Sequence, residues 1–219
     1  MKNKIVFFDV DNTIVDGYTQ KYFIHYLFKE KYINSTTLFL SYIWFFLYKL
    51  GIVKDVSRAV NFYIKFVRGF SRDKLNNIIK TFFDVYIKNI IYKEFKQLIE
   101  KYKIEGAKVV LVSTSLEPIV KAIADYLDVN DYIATKLKLE NSLYTGLVEG
   151  SVVTGDKKLE LVKHLLSTYE HTNIETYFYS DHLSDIDLLN FVDNPYVVNP
   201  SKILYNKAVR KNWGIINIK

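Results

Sequence analysis

The sequence predicts an α/β fold in which a Rossmann-like, doubly wound parallel sheet carries an inserted α-helical cap and a small β-hairpin. Along most of the chain, short apolar runs typical of buried strands alternate with helical patterns, as in parallel sheets covered by helices. Residues 18–90 differ, because they contain no proline and their apolar residues recur every three or four positions. We therefore expect a core formed by residues 1–17 and 91–219, and a helical cap at residues 18–90.

The first strand and the cap helices follow from these patterns. Residues 5–8 (IVFF) form a continuous apolar run of the kind found in a strand buried on both faces. The helical region has breaks near Ser35, at Gly51 and at residues 69–71, which divide it into three or four helices. Ser71, followed by acidic and basic residues, has the sequence of a helix start.

The elements after the cap alternate between helix and strand. They are a helix at 94–103, a strand at 107–113, a helix from 117, hairpin strands at about 133–139 and 143–148, a helix at 156–169, a strand at 175–181, a helix at 185–192, a strand at 196–199, a helix at 201–211 and a strand at 214–218. Parallel sheets of this kind bind ligands at the carboxyl ends of their strands. Residues at these strand ends are therefore the candidates for a functional site.

The composition excludes several kinds of site. The chain has no cysteine and four histidines, and no two histidines have the spacing of the HExxH zinc motif. Thiol nucleophiles, disulfides and cysteine-based metal sites are therefore excluded. The four apolar residues before Asp9 are fewer than the roughly seven that a secretory signal needs, so we expect no signal peptide. We expect a cytoplasmic protein, associated with a membrane if its cap contacts one.

The predicted cap is basic and rich in aromatic residues. Residues 18–90 carry twelve Lys and Arg against four acids, a net charge of +8 in a chain whose net charge is +6. Within the cap, residues 36–53 contain one charge, Lys49. Three interpretations stay open for this stretch: a buried bundle helix, a surface that contacts membrane or lipid, and a transmembrane helix. The thirteen uncharged residues before Lys49 are fewer than the roughly 20 that span a bilayer, and the positive charge favours an anionic surface.

Several predicted strands end in residues that carry chemistry. Asp9 and Asp11 follow the first strand, Ser113 ends the second, and Asp181 and Asp185 follow a third. We expect these side chains to meet at one edge of the sheet. Charge at the end of an apolar strand costs free energy unless it binds a partner, which makes ordinary turns and helix caps the weaker interpretation for the set as a whole.

The chemistry of this set indicates phosphoryl transfer. Clustered carboxylates favour a hard cation such as Mg2+, and a lysine from 157–158 at the start of a helix could neutralise phosphate oxygens. One carboxylate can attack phosphorus, and a second can act as general acid and base. For Asp185 the simpler interpretation is an N-cap, and for Ser115 it is the start of the helix from 117.

Four short segments resemble the motifs of the haloacid dehalogenase superfamily of phosphohydrolases. They are DVDNT (9–13), VVLVSTS (109–115), GDKKLELV (155–162) and YFYSDHLSDIDLL (177–189), and their order matches that family. The segments around the second and fourth motifs are similar to subfamily IB, the phosphoserine-phosphatase-like hydrolases. In that subfamily a helical cap is inserted between the first and second motifs, where residues 18–90 lie in this chain.

The resemblance implies a role for each residue of the set. Asp9 would be the nucleophile and Asp11 the acid/base, Thr13, Ser113, Thr114 and Lys158 would orient or bind the phosphate, Asp181 would hold Mg2+ together with Asp9 and Asp11, and Asp185 would support the site. The choice between Lys157 and Lys158 stays open, although Lys158, followed by a leucine, matches the motif better.

The implied function is an Mg2+-dependent phosphomonoester hydrolase that forms an aspartyl-phosphate. Tyr18 and residues 114–116 depart from the phosphoserine phosphatase pattern, and the basic, apolar cap favours a lipid or other amphiphilic phosphate. The alternatives are phosphoserine or another small phosphorylated metabolite as substrate, and a non-catalytic protein that binds a membrane surface or nucleic acid. The complete acid set argues against a non-catalytic role, and the lack of glycine-rich or arginine-rich tracts argues against nucleic acid.

Overall fold

The computed structural model describes residues 3–49, 56–169 and 173–218 and confirms the predicted α/β fold. Gly51, where a helix break was predicted, lies outside the described residues. The strands are β1 (Asn3–Phe8), β2 (Lys108–Leu116), β3 (Asp131–Thr135), β4 (Leu137–Glu140), β5 (Leu143–Val148), β6 (Ile174–Ser180), β7 (Asn194–Val198) and β8 (Gly214–Ile216). The α-helices are α1 (Thr19–Lys29), α2 (Ser35–Lys49), α3 (Val56–Tyr63), α4 (Arg72–Phe82), α5 (Lys93–Ile104), α6 (Glu117–Tyr126), α7 (Asp156–Ser167), α8 (Ile186–Phe191) and α9 (Lys202–Arg210).

The main sheet has its first strand in the middle. The strand order is β3-β2-β1-β6-β7-β8, and all neighbouring strands are parallel. The chain adds β2 and β3 on one side of β1 and then β6, β7 and β8 on the other. The order of addition reverses beside β1, so its carboxyl end is the place where sheets of this type bind ligands.

Helices cover both faces of the sheet because side chains of a strand alternate in direction. Val6 and Phe8 of β1 face the cluster that contains the buried residues of α5 and α6, whereas Ile5 and Phe7 face the buried residues of α7, α8 and α9. Residues 5–8 of β1 contribute only apolar side chains to the two clusters, which explains why the sequence of this strand shows no alternation of apolar and polar residues. The sheet is therefore doubly wound, as predicted.

The segment between β1 and α5 is helical, as its sequence predicts. We call α1–α4, with the short helical turns at Ile64–Val67, Phe83–Ile87 and Lys88–Ile90, the inserted helices. Ser71 caps α4 by accepting a hydrogen bond from the Lys74 N–H at 3.3 Å. The described residues contain no helix whose length and apolar character would allow it to cross a bilayer.

One face of α2 lies on the surface. The helix packs against α1 and α3, and its Ser41 is buried. Phe39, Ile43 and Phe46 are 65%, 38% and 60% exposed, and their spacing places them on one side of the helix. The buried-bundle interpretation of residues 36–53 therefore does not account for this face, although residues 50–53 lie outside the described part of the chain.

Two element boundaries differ from the prediction. The first predicted hairpin strand, residues 133–139, is two strands: β3 pairs with β2 in the main sheet, whereas β4 pairs with β5 in the antiparallel hairpin. The sequence pattern marks both segments as strand but does not say which partner each segment pairs with. Strand β2 also runs past Ser113 to Leu116, because its pairing with β3 resumes after a register shift.

Candidate active site

Asp9 directly follows β1, where the order of the strands reverses. Its N–H donates to the Tyr179 carbonyl of β6 at 2.9 Å, which extends the β1–β6 pairing by one residue. The residue is 5% exposed, so its carboxylate has little contact with water. Burial raises the pKa of Asp9 to about 7, although Lys158 opposes the shift. Whether the Asp9 carboxyl group is ionised therefore depends on the charges of the neighbouring groups.

Lys158 is the buried cation beside Asp9. It lies in the first turn of α7, and its Nζ donates to Asp9 Oδ1 at 2.6 Å and to Asp185 Oδ2 at 2.8 Å. Its side chain is 3% exposed. Burial alone lowers the pKa of Lys158, but the charges of Asp185 and Asp9 outweigh it and the pKa is raised. The lysine therefore stays charged and joins the end of β1 to the loop after β6.

The neighbouring lysine lies outside this network. The Lys157 side chain is 34% exposed and pairs with Glu160, one turn along the same helix, at 2.6 Å. Such a surface pair contributes little to stability. Of the two lysines between which the sequence left the choice open, the structure places Lys158 among the acids.

Asp185 holds Lys158 rather than a helix end. It occupies the N-cap position of α8, but its carboxylate makes no capping hydrogen bond. Asp185 Oδ2 instead accepts from Lys158 and from Ser180 Oγ at 2.7 Å. The side chain is buried, so the simple N-cap interpretation does not describe its contacts.

Two residues hold the carboxylate of Asp11. The N–H of Thr19, the first residue of α1, donates to Asp11 Oδ1 at 2.7 Å, and Ser115 Oγ donates to Oδ2 at 3.0 Å. Thr19 Oγ1 lies 2.6 Å from Ser115 Oγ and must be the donor there, because the serine proton already points to Asp11. Burial raises the pKa of Asp11, and these hydrogen bonds oppose the shift.

The loop after Asp9 has a tight backbone turn. Asn12 is in the left-handed region (φ 53°), and its N–H donates to the Gly17 carbonyl at 3.1 Å. The Val10 carbonyl accepts from the N–H groups of residues 13–15. Thr13 belongs to this turn, and its Oγ1 is buried and has no hydrogen-bond partner among the residues that the structure describes.

Ser113 and Thr114 lie at the same edge, on β2. Ser113 is buried, and its Oγ accepts from the Ser115 N–H at 3.0 Å. The Thr114 carbonyl accepts from Thr135 Oγ1 at 2.8 Å. Strand β2 continues beyond these two residues, but its pairing with β3 is irregular between Val112 and Leu116. Ser113 and Thr114 therefore border the site as residues at the end of a strand would.

Asp181 follows β6 and lies beside Asp9. Burial and the charges of Asp9 and Asp185 raise the pKa of Asp181 to about 8. Mutual repulsion among carboxylates of this kind is offset by a divalent cation, and carboxylate and carbonyl oxygens are the ligands that Mg2+ prefers. The described residues contain no cluster of three or more Asp, Glu or His side chains suited to a metal ion. The predicted set consists of two carboxylates and the Asp11 carbonyl, and it stays a prediction.

The sequence interpretation missed three residues of this site. Ser115 was interpreted as the start of a helix, and Thr19 and Ser180 were not singled out. Each is a hydroxyl residue that contacts an acid of the set and lies within one to eight residues of a motif acid or motif serine. For Ser180, its place immediately before Asp181 was a usable signal. For Thr19 no local signal existed, because its role depends on where α1 begins.

A family model and two relatives match the sequence of this chain. The model described as haloacid dehalogenase-like hydrolase matches residues 6–190. A histidinol-phosphatase of Neisseria meningitidis serogroup C is 26% identical over 228 aligned positions, and the alignment covers all of both chains. A phosphoserine phosphatase of Mycobacterium tuberculosis is 25% identical over 95% of this chain and 69% of its own length.

A solved structure shows the same fold over nearly the whole chain. It is a protein of unknown function from Bordetella pertussis, with a TM-score of 0.90, 22% sequence identity and 99% coverage of each chain. Its likeness extends to the inserted helices as well as the sheet. The family match spans the four motifs almost completely and includes every acid of the site. The chain therefore belongs to the haloacid dehalogenase-like hydrolases.

Proposed function

We propose that the chain is an Mg2+-dependent phosphomonoester hydrolase that works through an aspartyl-phosphate on Asp9. The observation that carries the proposal is the buried Asp9–Lys158–Asp185 network, with Asp11 and Asp181 beside it, at the ligand-binding edge of the sheet. A nucleophile, a second acid and a fixed cation are the groups that phosphoryl transfer requires.

The covalent steps follow from the hydrogen bonds of the two aspartates. Lys158 holds Asp9 Oδ1, which leaves Oδ2 to attack phosphorus as the bond from phosphorus to the alcohol oxygen breaks. Asp11 gives its proton to that oxygen, and its raised pKa favours the protonated form that this step needs. As a carboxylate, Asp11 then takes a proton from the water that attacks the aspartyl-phosphate, which releases phosphate and restores Asp9.

The phosphate is bound by donors around the nucleophile. Ser113 Oγ already accepts from a backbone N–H, so its own proton is available for a phosphate oxygen. Thr114 and Thr13 contribute hydroxyl groups, and the unpartnered state of Thr13 Oγ1 among the described residues supports this role. Lys158 neutralises part of the negative charge.

The proposed metal site is formed by Asp9, Asp11 and Asp181. Asp9 and Asp181 would hold Mg2+ with side-chain oxygens, Asp11 would hold it with its backbone carbonyl, and Asp185 would keep Lys158 in place. When bound, Mg2+ supplies positive charge that offsets the repulsion between the carboxylates and the phosphate.

The division of labour within the chain is also a proposal. Residues 1–17 and 91–219 carry the chemistry, and residues 18–90 act as a cap that selects the substrate. The contact between Thr19 and Asp11 supports this arrangement, because it places the start of the inserted helices directly on the acid/base residue.

For the substrate we propose a lipid or other amphiphilic phosphate. The exposed residues Phe39, Ile43 and Phe46 on α2, in a segment of net charge +8, suit an anionic membrane surface that would bring such a substrate to the site. A soluble amino-alcohol phosphate is the second candidate, because the histidinol-phosphatase relative spans the whole chain. A panel of lysophospholipids, phosphatidylglycerophosphate, histidinol phosphate and phosphoserine distinguishes these two classes.

The catalytic proposal is tested by Asp9→Asn with p-nitrophenyl phosphate as substrate. Removing the nucleophile should lower kcat at least about 1000-fold, while circular dichroism stays that of the wild type. Asp187→Asn, on the exposed side of α8, is the matched control and should retain full activity. Wild-type activity in Asp9→Asn would exclude Asp9 as the nucleophile.

The membrane proposal is tested by flotation with liposomes that contain phosphatidylglycerol. Binding should fall as salt rises, because the attraction to anionic lipid is screened. It should be lost in the double variant Phe39→Ser/Phe46→Ser and kept in Ile104→Ser, which removes an exposed apolar side chain from α5. Equal flotation of all three proteins would contradict the assignment of this face.

A further inference from the structure

We propose that the Ser180 hydroxyl is a positioning group that sets two parts of the site at once: the turn that carries Asp181 and the carboxylate that holds Lys158. The inference rests on the proposed phosphohydrolase function and adds a residue that takes no part in the proposed covalent steps. Ser180 is the last residue of β6, and its side chain is completely buried.

The first observation is that both hydrogen bonds of Ser180 Oγ have a fixed direction. The hydroxyl accepts from the His182 N–H at 3.2 Å, because a backbone N–H can only donate. Its single proton therefore goes to Asp185 Oδ2, which lies 2.7 Å away. No proton is left for a ligand, so any function of this hydroxyl is exerted through the residues that it contacts.

The bond to His182 shapes the backbone at Asp181. A serine hydroxyl that accepts from the N–H two residues later forms a local turn, and the residue between the two is the centre of that turn. Here the central residue is Asp181, one of the two carboxylates that we assign to Mg2+.

The other carboxylate is anchored next to the same residue. The Tyr179 carbonyl, immediately before Ser180, accepts from the Asp9 N–H at 2.9 Å. The short segment of backbone that sets the spacing between Asp9 and Asp181 therefore passes through Ser180. A change in the turn at Ser180 would move one metal ligand relative to the other.

The bond to Asp185 acts on Lys158. Asp185 Oδ2 accepts from Lys158 Nζ at 2.8 Å as well as from Ser180. Its other oxygen has a long contact of 3.4 Å with Ser184 Oγ. Ser180 thus supplies the short hydrogen bond that fixes the orientation of the carboxylate beside its lysine. Because Lys158 also donates to Asp9 Oδ1, this orientation is passed on to the nucleophile.

The same strand contains a matching pair of hydroxyl and carboxylate away from the site. Thr176 Oγ1 donates to Asp193 Oδ2 at 2.8 Å and accepts from the Asp193 N–H at 3.0 Å. Thr176 lies in the amino-terminal half of β6 and Asp193 directly precedes β7, so this pair lies toward the opposite edge of the sheet. Asp193 is exposed, whereas Asp185 is 1% exposed and paired with Lys158. Thr176 therefore represents a purely structural hydroxyl of the same kind.

The first test compares Mg2+ binding by wild type, Ser180→Ala and Thr176→Val, measured by isothermal titration calorimetry without substrate. Ser180→Ala releases the turn at Asp181, so its Kd for Mg2+ should rise about tenfold or more, as for other losses of support behind metal ligands. Thr176→Val should keep the wild-type Kd within about twofold, because it lies far from the site. The Tm of both variants should fall, since each loses a hydrogen bond to a carboxylate.

The second test is a double-mutant cycle between Ser180 and Asp185. At saturating Mg2+, Ser180→Ala should lower kcat for p-nitrophenyl phosphate about tenfold, because the carboxylate that holds Lys158 loses its orientation. In an Asp185→Ala background the same substitution should change kcat by less than about twofold, since the group through which Ser180 acts is gone. Thr176→Val should keep the wild-type kcat.

The outcomes separate this inference from the proposed function. An unchanged Kd for Mg2+ or an unchanged kcat in Ser180→Ala would overturn the role of Ser180. Losses of the same size in Thr176→Val, or an undiminished effect of Ser180→Ala in the Asp185→Ala background, would also overturn it. A wild type that hydrolyses no p-nitrophenyl phosphate would refute the phosphohydrolase proposal instead, and the calorimetric comparison would still decide whether Ser180 supports the Mg2+ site.

Discussion

At the scale of single residues, the site is organised around a cation that is buried between two acids. Lys158 donates to Asp9 and Asp185, and nearly all of its side chain is removed from water. Burying three charges costs free energy, and the close contacts with Lys158 return only part of it, since the pKa of Asp9 stays raised. The arrangement therefore favours a fixed, charged site over maximal stability.

Replacing this cation should be costly for both activity and stability. In Lys158→Met the two carboxylates lose their shared partner, and we expect a loss of about 3 kcal/mol of unfolding free energy, the lower end of the range for broken buried pairs, because the acids can bind protons instead. Urea unfolding measures this loss, and p-nitrophenyl phosphate turnover should fall at least about 100-fold.

Lys157→Ala is the matched control for that variant. Its partner Glu160 lies on the surface, so the change in unfolding free energy should stay within about 0.5 kcal/mol. A larger effect of Lys157→Ala than of Lys158→Met would reverse the assignment of the two lysines.

Much of the site was accessible to sequence reasoning at this scale. Asp9, Asp11, Ser113 and Asp181 were predicted to meet because parallel strands end at one edge, and the structure brings them together. The contacts that hold them were not predictable, since the bonds from Thr19 and Ser115 to Asp11 join residues 8 and 104 positions away.

At the scale of elements, aromatic rings connect three strands of the sheet. Phe8 of β1 stacks on Tyr179 of β6 at 4.7 Å between ring centroids, and Tyr179 stacks on Tyr196 of β7 at 4.6 Å. The next strand makes room for the stack, because a Cβ on Gly214 would lie 2.2 Å from the Tyr196 ring. Glycine at this position in β8 is therefore required by packing.

Gly214→Ala should destabilise the fold through this contact. The added methyl group would push Tyr196 off its neighbour, and we expect a loss of about 2 kcal/mol of unfolding free energy, as in other overpacked cores. In a Tyr196→Ala background the same substitution should cost much less, since the clash is gone. Equal costs in the two backgrounds, measured by urea unfolding, would show that Tyr196 is not the reason for the glycine.

The hairpin shows why some boundaries escape prediction. Residues 131–140 mix apolar and charged residues in a pattern that suits either an edge of the main sheet or a separate hairpin, and the change of partner at Lys136 is made by tertiary pairing. The elements themselves were predictable from periodicity, whereas the choice of partner for each strand depended on contacts far away in sequence.

At the scale of the whole molecule, the fold itself brings together carboxylates that directly follow β1 and β6. Burial and repulsion raise the pKa of Asp9 and Asp181, so the folded state holds them at a cost that a bound cation would remove. A ligand that binds only the folded state raises the free energy of unfolding by an amount that grows with the logarithm of its concentration above Kd.

Mg2+ should therefore stabilise the protein against heat. At ten times its Kd the gain is about 1.4 kcal/mol, which corresponds to a rise in Tm of about 3–6 °C for a chain of this size. Thermal unfolding with and without Mg2+ measures the rise, which should largely vanish in Asp181→Asn and persist in Asp187→Asn. A rise of the same size in Asp181→Asn would place the cation elsewhere.

The contact between Thr19 and Asp11 has a mechanical consequence for the molecule. The Thr19 N–H, at the start of α1, donates a hydrogen bond to Asp11, the residue that we assign to proton transfer. Any movement of the inserted helices away from the sheet would therefore break this hydrogen bond. Movement of the inserted helices that admits a ligand would then also release Asp11 from its hydrogen bond. Asp11 would be positioned for proton transfer only when the inserted helices are closed over the site.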